Sequence, residues 1–206
     1  KERAETMLNY NVNPDFDPRG NVGDDLTDWN DSIYGNNDIM ATDPSHGTHV
    51  AGIVGAVRNN ETGIDGIAPN VKLMVVRCVP DGDEYDKDVA NAILYAVRNG
   101  AQIINMSFGK YYATHSEWVQ RAIEVAEKKG VLLVHAAGND ARNIDEADHY
   151  PVNTSGISSP YWIEVGAHKN TTKKKLYLAP FSNYGQESVQ IFAPGYDIYS
   201  TLPEAN

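Results

Sequence analysis

Between residues 72 and 136, apolar runs of strand length alternate with segments of helical period, an alternation that few folds accommodate. Lys72 to Val79 is a near-continuous apolar run, as expected of a parallel strand covered on both faces. Val89, Ile93 and Val97 then recur at helical spacing after Asp86, and Gly100 stops the pattern. Gln102 to Ser107 is the next strand. Ser116 opens a second helix, with Val119, Ile123 and Ala126 on one face and Gly130 at its end. Val131 to Ala136 is a third strand, and Trp162 to Ala167 and Val189 to Ala193 read as shorter ones. Strands joined through helices imply an α/β fold, a mostly parallel sheet with helices on both faces.

With 206 residues the chain can form one sizeable domain. Its net charge of −11 argues against a nucleic-acid surface. No apolar run approaches the roughly 20 residues of a membrane span. The single cysteine, Cys78, excludes an intrachain disulfide and reads as buried core within its strand.

The first 45 residues differ in character. Lys1 to Tyr10 resembles the tail of a helix. Asn11 to Asp43 sets Asp15, Asp17, Asp24, Asp25, Asp28, Asp31, Asp38 and Asp43 against the single basic Arg19, without sustained period. Residues 1–45 therefore read as a partial helix and an acidic, solvent-facing insertion, and residues 46–206 as the main domain. Asp15-x-Asp17-x-x-Gly20 is a fragment of a calcium-loop pattern, broken by Arg19 and Leu26.

The chemistry-bearing run is His46-Gly47-Thr48-His49-Val50-Ala51-Gly52, at the head of an apolar helix expected to enter the core. A histidine there is well placed as a general base. The two glycines suit close approach of a neighbouring backbone. His46 and His49 lack the Glu and third ligand of a zinc site, and His115, His135 and His168 read as structural or surface. In parallel sheets, ligands bind beyond the carboxyl ends of the strands. Three segments fall there: Asn105 to Gly109, Ala136 to Asp140, and Phe192 to Gly195 followed by Ile198 to Pro203. Each by itself is also an ordinary strand end or turn.

The histidine run and these segments, in this order, resemble the subtilisin-like serine proteases, the subtilases. The resemblance implies a subtilisin-like sheet and a serine endopeptidase acting on polypeptides. It makes His46 the general base and Asn139 the oxyanion-hole amide. Ser107, Phe108 and Gly109 become the edge that pairs with an extended substrate. Ala137 and Gly138 line the pocket for the residue before the scissile bond, and His149 falls at its floor. No cofactor is required for the chemistry. A structural calcium stays open, since Asn59 in Arg58 to Gly63 matches a ligand position although an extra residue breaks the spacing. The resemblance also implies export.

Two family motifs are missing. The sequence has no Gly-Thr-Ser-Met-Ala for the nucleophile, and no apolar strand ending in Asp-x-Gly before His46. The expectation is a fragment, incomplete at both ends, inactive by itself and prone to self-association through unpaired strand edges. The alternative is a non-catalytic relative that binds peptides in the same groove. A nucleotide-binding sheet is disfavoured, because no Gly-x-Gly-x-x-Gly follows a strand.

Overall fold

The computed structural model describes residues 5, 8–9, 13, 16, 18–41, 43–79, 82–154, 159–170 and 176–204. Helices α1 (Ser45–Gly55), α2 (Asp86–Arg98) and α3 (Ser116–Lys128) are interleaved with strands β1 (Ile103–Met106), β2 (Leu132–Ala136), β3 (Trp162–Asn170), β4 (Leu176–Leu178) and β5 (Ile191–Pro194). Strands β1, β2, β3 and β5 are parallel neighbours in that order, and β4 runs antiparallel to the end of β3.

The register explains the core. Ile104, Leu133 and Trp162 form one cross-strand row on the face that packs against the helices. Helix α2 contributes Val89, Ala90 and Ile93 to that cluster, and α3 contributes Val119, Ala122, Ile123 and Ala126. These are the positions that recur at helical spacing. Burying each large aliphatic side chain here contributes about 1.5–3 kcal/mol. On the opposite face of β1, Ile103 is 62% exposed.

Residues 72–79 depart from expectation. They form no strand, and Leu73 and Val75 are 50% and 55% exposed. An apolar run supplies a reason for burial, but a strand also needs a hydrogen-bonded neighbour, and β1 pairs only with β2 among the described residues. Cys78 is accordingly half-buried rather than core. Burial still pushes its thiol up to about 12, with Asp88 and Glu84 adding to the effect.

Helix α1 does not plunge into the core either; only Gly52 along it is buried. It rests on residues 198–201. The Ser200 hydroxyl donates to His49 O (2.7 Å) and the Thr201 hydroxyl to Thr48 O (2.8 Å). A Cβ on Gly52 would lie 2.1 Å from Thr201 Oγ1, so this contact requires glycine, whereas Gly47 faces open space.

The acidic segment is not simply solvated. Asp25, Asp28, Asp31, Asp38 and Asp43 each accept a backbone N–H two residues on, which makes the stretch a chain of local turns. Those turns fold it onto the first turn of α2. Arg19, 6% exposed, bonds Asp24 and grips Asp88 with two nitrogens (2.7 and 2.8 Å). The fully buried Lys87 ammonium donates to Asp24 and to Asp25 O. Tyr34 donates to Asp88 at 2.6 Å, and burial, reinforced by that carboxylate, pushes its hydroxyl pKa up. Carboxylates taken from water need counter-charges, and Arg19 and Lys87 supply them. Asp15 and Asp17, and with them the calcium-loop fragment, lie outside the described residues.

Candidate active site

Strands β1 and β2 end side by side. The segments leaving their carboxyl ends, 107–111 and 136–140, wall a cleft of about 240 Å³ that His149 and Tyr150 close on a further side.

The wall at 107–111 is pinned from two directions. Lys110 and Tyr150 exchange backbone hydrogen bonds of 2.9 and 2.7 Å. The Lys110 ammonium donates to Asp86 Oδ1 (2.8 Å) and Glu84 O (2.6 Å), which ties the wall to the head of α2. Burial works against ionisation of Asp86, but Lys110 and the His115 N–H outweigh it and hold this carboxyl below the usual range.

Beneath the cleft the second cross-strand row is Met106, His135 and Glu164. His135 Nε2 donates to Phe108 O at 2.9 Å, and its Nδ1 meets Glu164 Oε1 at 2.8 Å. The other Glu164 oxygen accepts the Trp162 indole N–H at 3.0 Å. His149 Nε2 stands 4.0 Å from Glu164 Oε1. Burial pushes the His149 pKa below the ordinary histidine value, against the opposing pull of Glu164.

The wall at 136–140 turns sharply. Gly138 has φ +101° and Ala141 φ +54°. Asp140 accepts the Tyr111 hydroxyl, and Arg142 lies 4.3 Å over the Tyr111 ring. Burial raises the Tyr111 pKa, as does its bond to Asp140.

Ser107, Phe108, Gly109, Ala137, Gly138, Asn139 and His149 all line this cleft. His46 does not; it is exposed on the first turn of α1. His49 sits with Nε2 3.1 Å from Ile198 O, so that ring donates to a carbonyl. The segment 192–203 forms the end of β5 and the seat of α1 rather than a cleft wall. At 58–63, the Asn59 N–H donates to Asp65 Oδ1 (3.1 Å), and no three His, Cys, Asp or Glu side chains gather at one point among the described residues. Sequence reasoning missed Glu164, Tyr111 and Asn183, and left His135 as either structural or surface; it is buried and braces the wall. The available signal was an ionisable residue inside each of two apolar strands, His135 and Glu164.

The model of the subtilase family matches residues 6–205. The chain belongs to the subtilases. The matched span includes the acidic segment as well as the sheet. The chain is 38% identical over 200 residues to the thermophilic serine proteinase of Bacillus sp. (strain AK1), covering 96% of this chain and 44% of that protein. It is 35% identical over 167 residues to the extracellular basic protease of Dichelobacter nodosus, covering 76% of this chain and 26% of the relative. Among solved structures, sphericase superimposes with a TM-score of 0.66 at 31% identity, over 82% of this chain and 58% of that one. The chain thus spans between about a quarter and three fifths of the length of these subtilases.

Proposed function

We propose that the protein carrying this chain is an exported serine endopeptidase that cleaves peptide bonds through an acyl-enzyme. The observation that carries the reading is the cleft, where Asn139 and the segment 107–109 line one cavity at the carboxyl ends of neighbouring strands. A peptide laid along 107–109 is held through its backbone largely regardless of sequence. Phe108 O is already engaged by His135, which leaves Ser107 and Gly109 to pair with it. When its carbonyl is attacked, the oxygen gains negative charge, and the Asn139 amide donates to it. Such a donor lowers the barrier by about 3–4 kcal/mol, the loss measured when the equivalent asparagine is removed from a subtilisin.

His46 takes the proton from the nucleophile and returns it to the leaving amine, a role that rests on the family resemblance. The nucleophilic serine and the orienting aspartate belong to motifs absent from this sequence, so these 206 residues hold part of the machinery. Ala137 and Gly138 line the pocket for the residue before the scissile bond. His149, larger and more polar than glycine, shortens that pocket and disfavours Phe and Tyr. The names of relatives such as the extracellular basic protease support export.

The test uses the full-length protein. His46→Ala should lower kcat by several orders of magnitude, and Asn139→Ala by about 10²–10³ with KM little changed. Undiminished turnover in both variants overturns the proposal. Tight binding of extended peptides by the unaltered protein with no turnover makes it a peptide-binding relative instead. On a peptide library, strong preference for Phe or Tyr before the scissile bond contradicts the role given to His149.

A further inference from the structure

We infer that Asn183 is a positioning residue whose carboxamide holds the turn at residues 138–141 in the conformation that presents Asn139 to the cleft. The inference rests on the oxyanion reading of Asn139.

Asn183 is 0% exposed. Its Oδ1 accepts the backbone N–H groups of Asp140 (3.0 Å) and Arg142 (2.9 Å). Its Nδ2 donates to Ala137 O (2.7 Å) and to the Tyr111 hydroxyl (2.9 Å). A primary amide has two N–H donors and two good acceptor sites, and here all four are used. The backbone partners bracket Asn139: Ala137 lies before it, Asp140 and Arg142 after it. The Asn183 backbone N–H also donates to Gly138 O at 2.9 Å.

The turn needs such a hold. Ala141 at φ +54° occupies a region that residues with a Cβ visit rarely, and it persists only where the surroundings over-determine it. At Gly138 a Cβ would lie 2.3 Å from Asn183 Nδ2, so the amide occupies the space a side chain would take. Tyr111 extends the arrangement. Its hydroxyl accepts from Asn183 and donates to the Asp140 carboxylate, which joins the wall at 107–111 to the same turn. An oxyanion donor is effective because it is fixed before the charge develops. Without Asn183, the transition state has to order the turn as well as bind to it.

The full-length protein tests this by a double-mutant cycle. Asn183→Ala should lower kcat by about 10- to 100-fold with KM changed less than about threefold, a share of what removal of the donor itself costs. In an Asn139→Ala background the same change should lower kcat by less than about threefold, because the group being positioned is gone. Asn183→Asp keeps both accepting contacts but loses both donating ones and sets a carboxylate oxygen against Ala137 O, so its kcat should also fall below wild type. Wild-type kcat in folded Asn183→Ala overturns the inference, as does a loss of equal size with and without Asn139. Should Asn183→Ala fail to fold, the same comparison is read from Asn183→Asp, and equal loss in both backgrounds, or none, overturns it. If Asn139→Ala alone leaves kcat unchanged, the oxyanion reading fails and this inference falls with it.

Discussion

His135 and Glu164 meet across adjacent parallel strands, Nδ1 to Oε1 at 2.8 Å, with both side chains 1% exposed. The other ring nitrogen donates to Phe108 O in the cleft wall. Both contacts are satisfied by imidazolium against carboxylate, or by neutral imidazole against a carboxyl that donates to Nδ1. The pair is electrically neutral in either form. A buried, neutral polar unit therefore braces the wall from below, where an ordinary core would place two aliphatic side chains.

Removing one partner leaves the other uncompensated. Glu164→Ala strands His135 Nδ1 and the Trp162 indole N–H, and should destabilise the fold by about 3–5 kcal/mol in urea unfolding. His135→Ala combined with Glu164→Ala should cost less than the sum of the single changes. Additive effects, or a loss below about 1 kcal/mol for Glu164→Ala, would contradict the pairing.

His149 gives the fold a pH dependence of definite sign. Burial holds its pKa below the unfolded value of about 6.5. In the window between the two values the unfolded chain binds more protons, so stability falls as the pH is lowered through that window. Glu164 and Asp148 oppose the shift, and His135 and burial favour it. Thermal unfolding of the chain and of His149→Gln should diverge below about pH 6.5, with the variant losing less. Parallel curves for the two proteins would sink this reading.

Asp24 is shared by two buried cations. Asp24→Asn weakens its contacts to Lys87 and Arg19 together, and should cost about 3–5 kcal/mol of stability. Asp38→Asn, at an exposed turn, should leave the unfolding midpoint unchanged. Equal behaviour of the two variants would restore the picture of a solvated acidic surface.

The 206-residue chain taken alone should self-associate. One edge of β1 lacks a partner among the described residues, and residues 72–79 present Leu73, Met74 and Val75 to solvent. Open edges and contiguous exposed apolar surface favour pairing with another chain. Light scattering should report a mass above the 22.6 kDa of one chain, with rapid amide exchange at 72–79 in dilute samples. A monomer strongly protected across those residues would show that they are already paired.

What was legible in advance had local causes. The buried faces of α2 and α3 follow from 3.6-residue spacing, and β1, β2, β3 and β5 follow from apolar runs within a few residues of their observed ends. Asn139, Gly138 and the segment 107–109 were legible as strand-end segments and were joined into one site by the family resemblance; the structure sets them around one cleft because β1 and β2 are neighbours.

The sequence by itself determined those elements, that their strands run mostly parallel, and the motifs at their ends, because periodicity and turn chemistry act over a few residues. Only the tertiary structure decided which distant side chains meet. Register set His135 opposite Glu164 across 29 positions, and the return of the chain at 181–184 brought Asn183 to the turn around Asn139. Packing likewise turned Asp24 from a surface charge into the partner of a buried lysine, and left residues 72–79 outside the sheet. An apolar run or a carboxylate states what it needs, burial or a counter-charge. Which neighbour supplies it depends on contacts that no local pattern encodes.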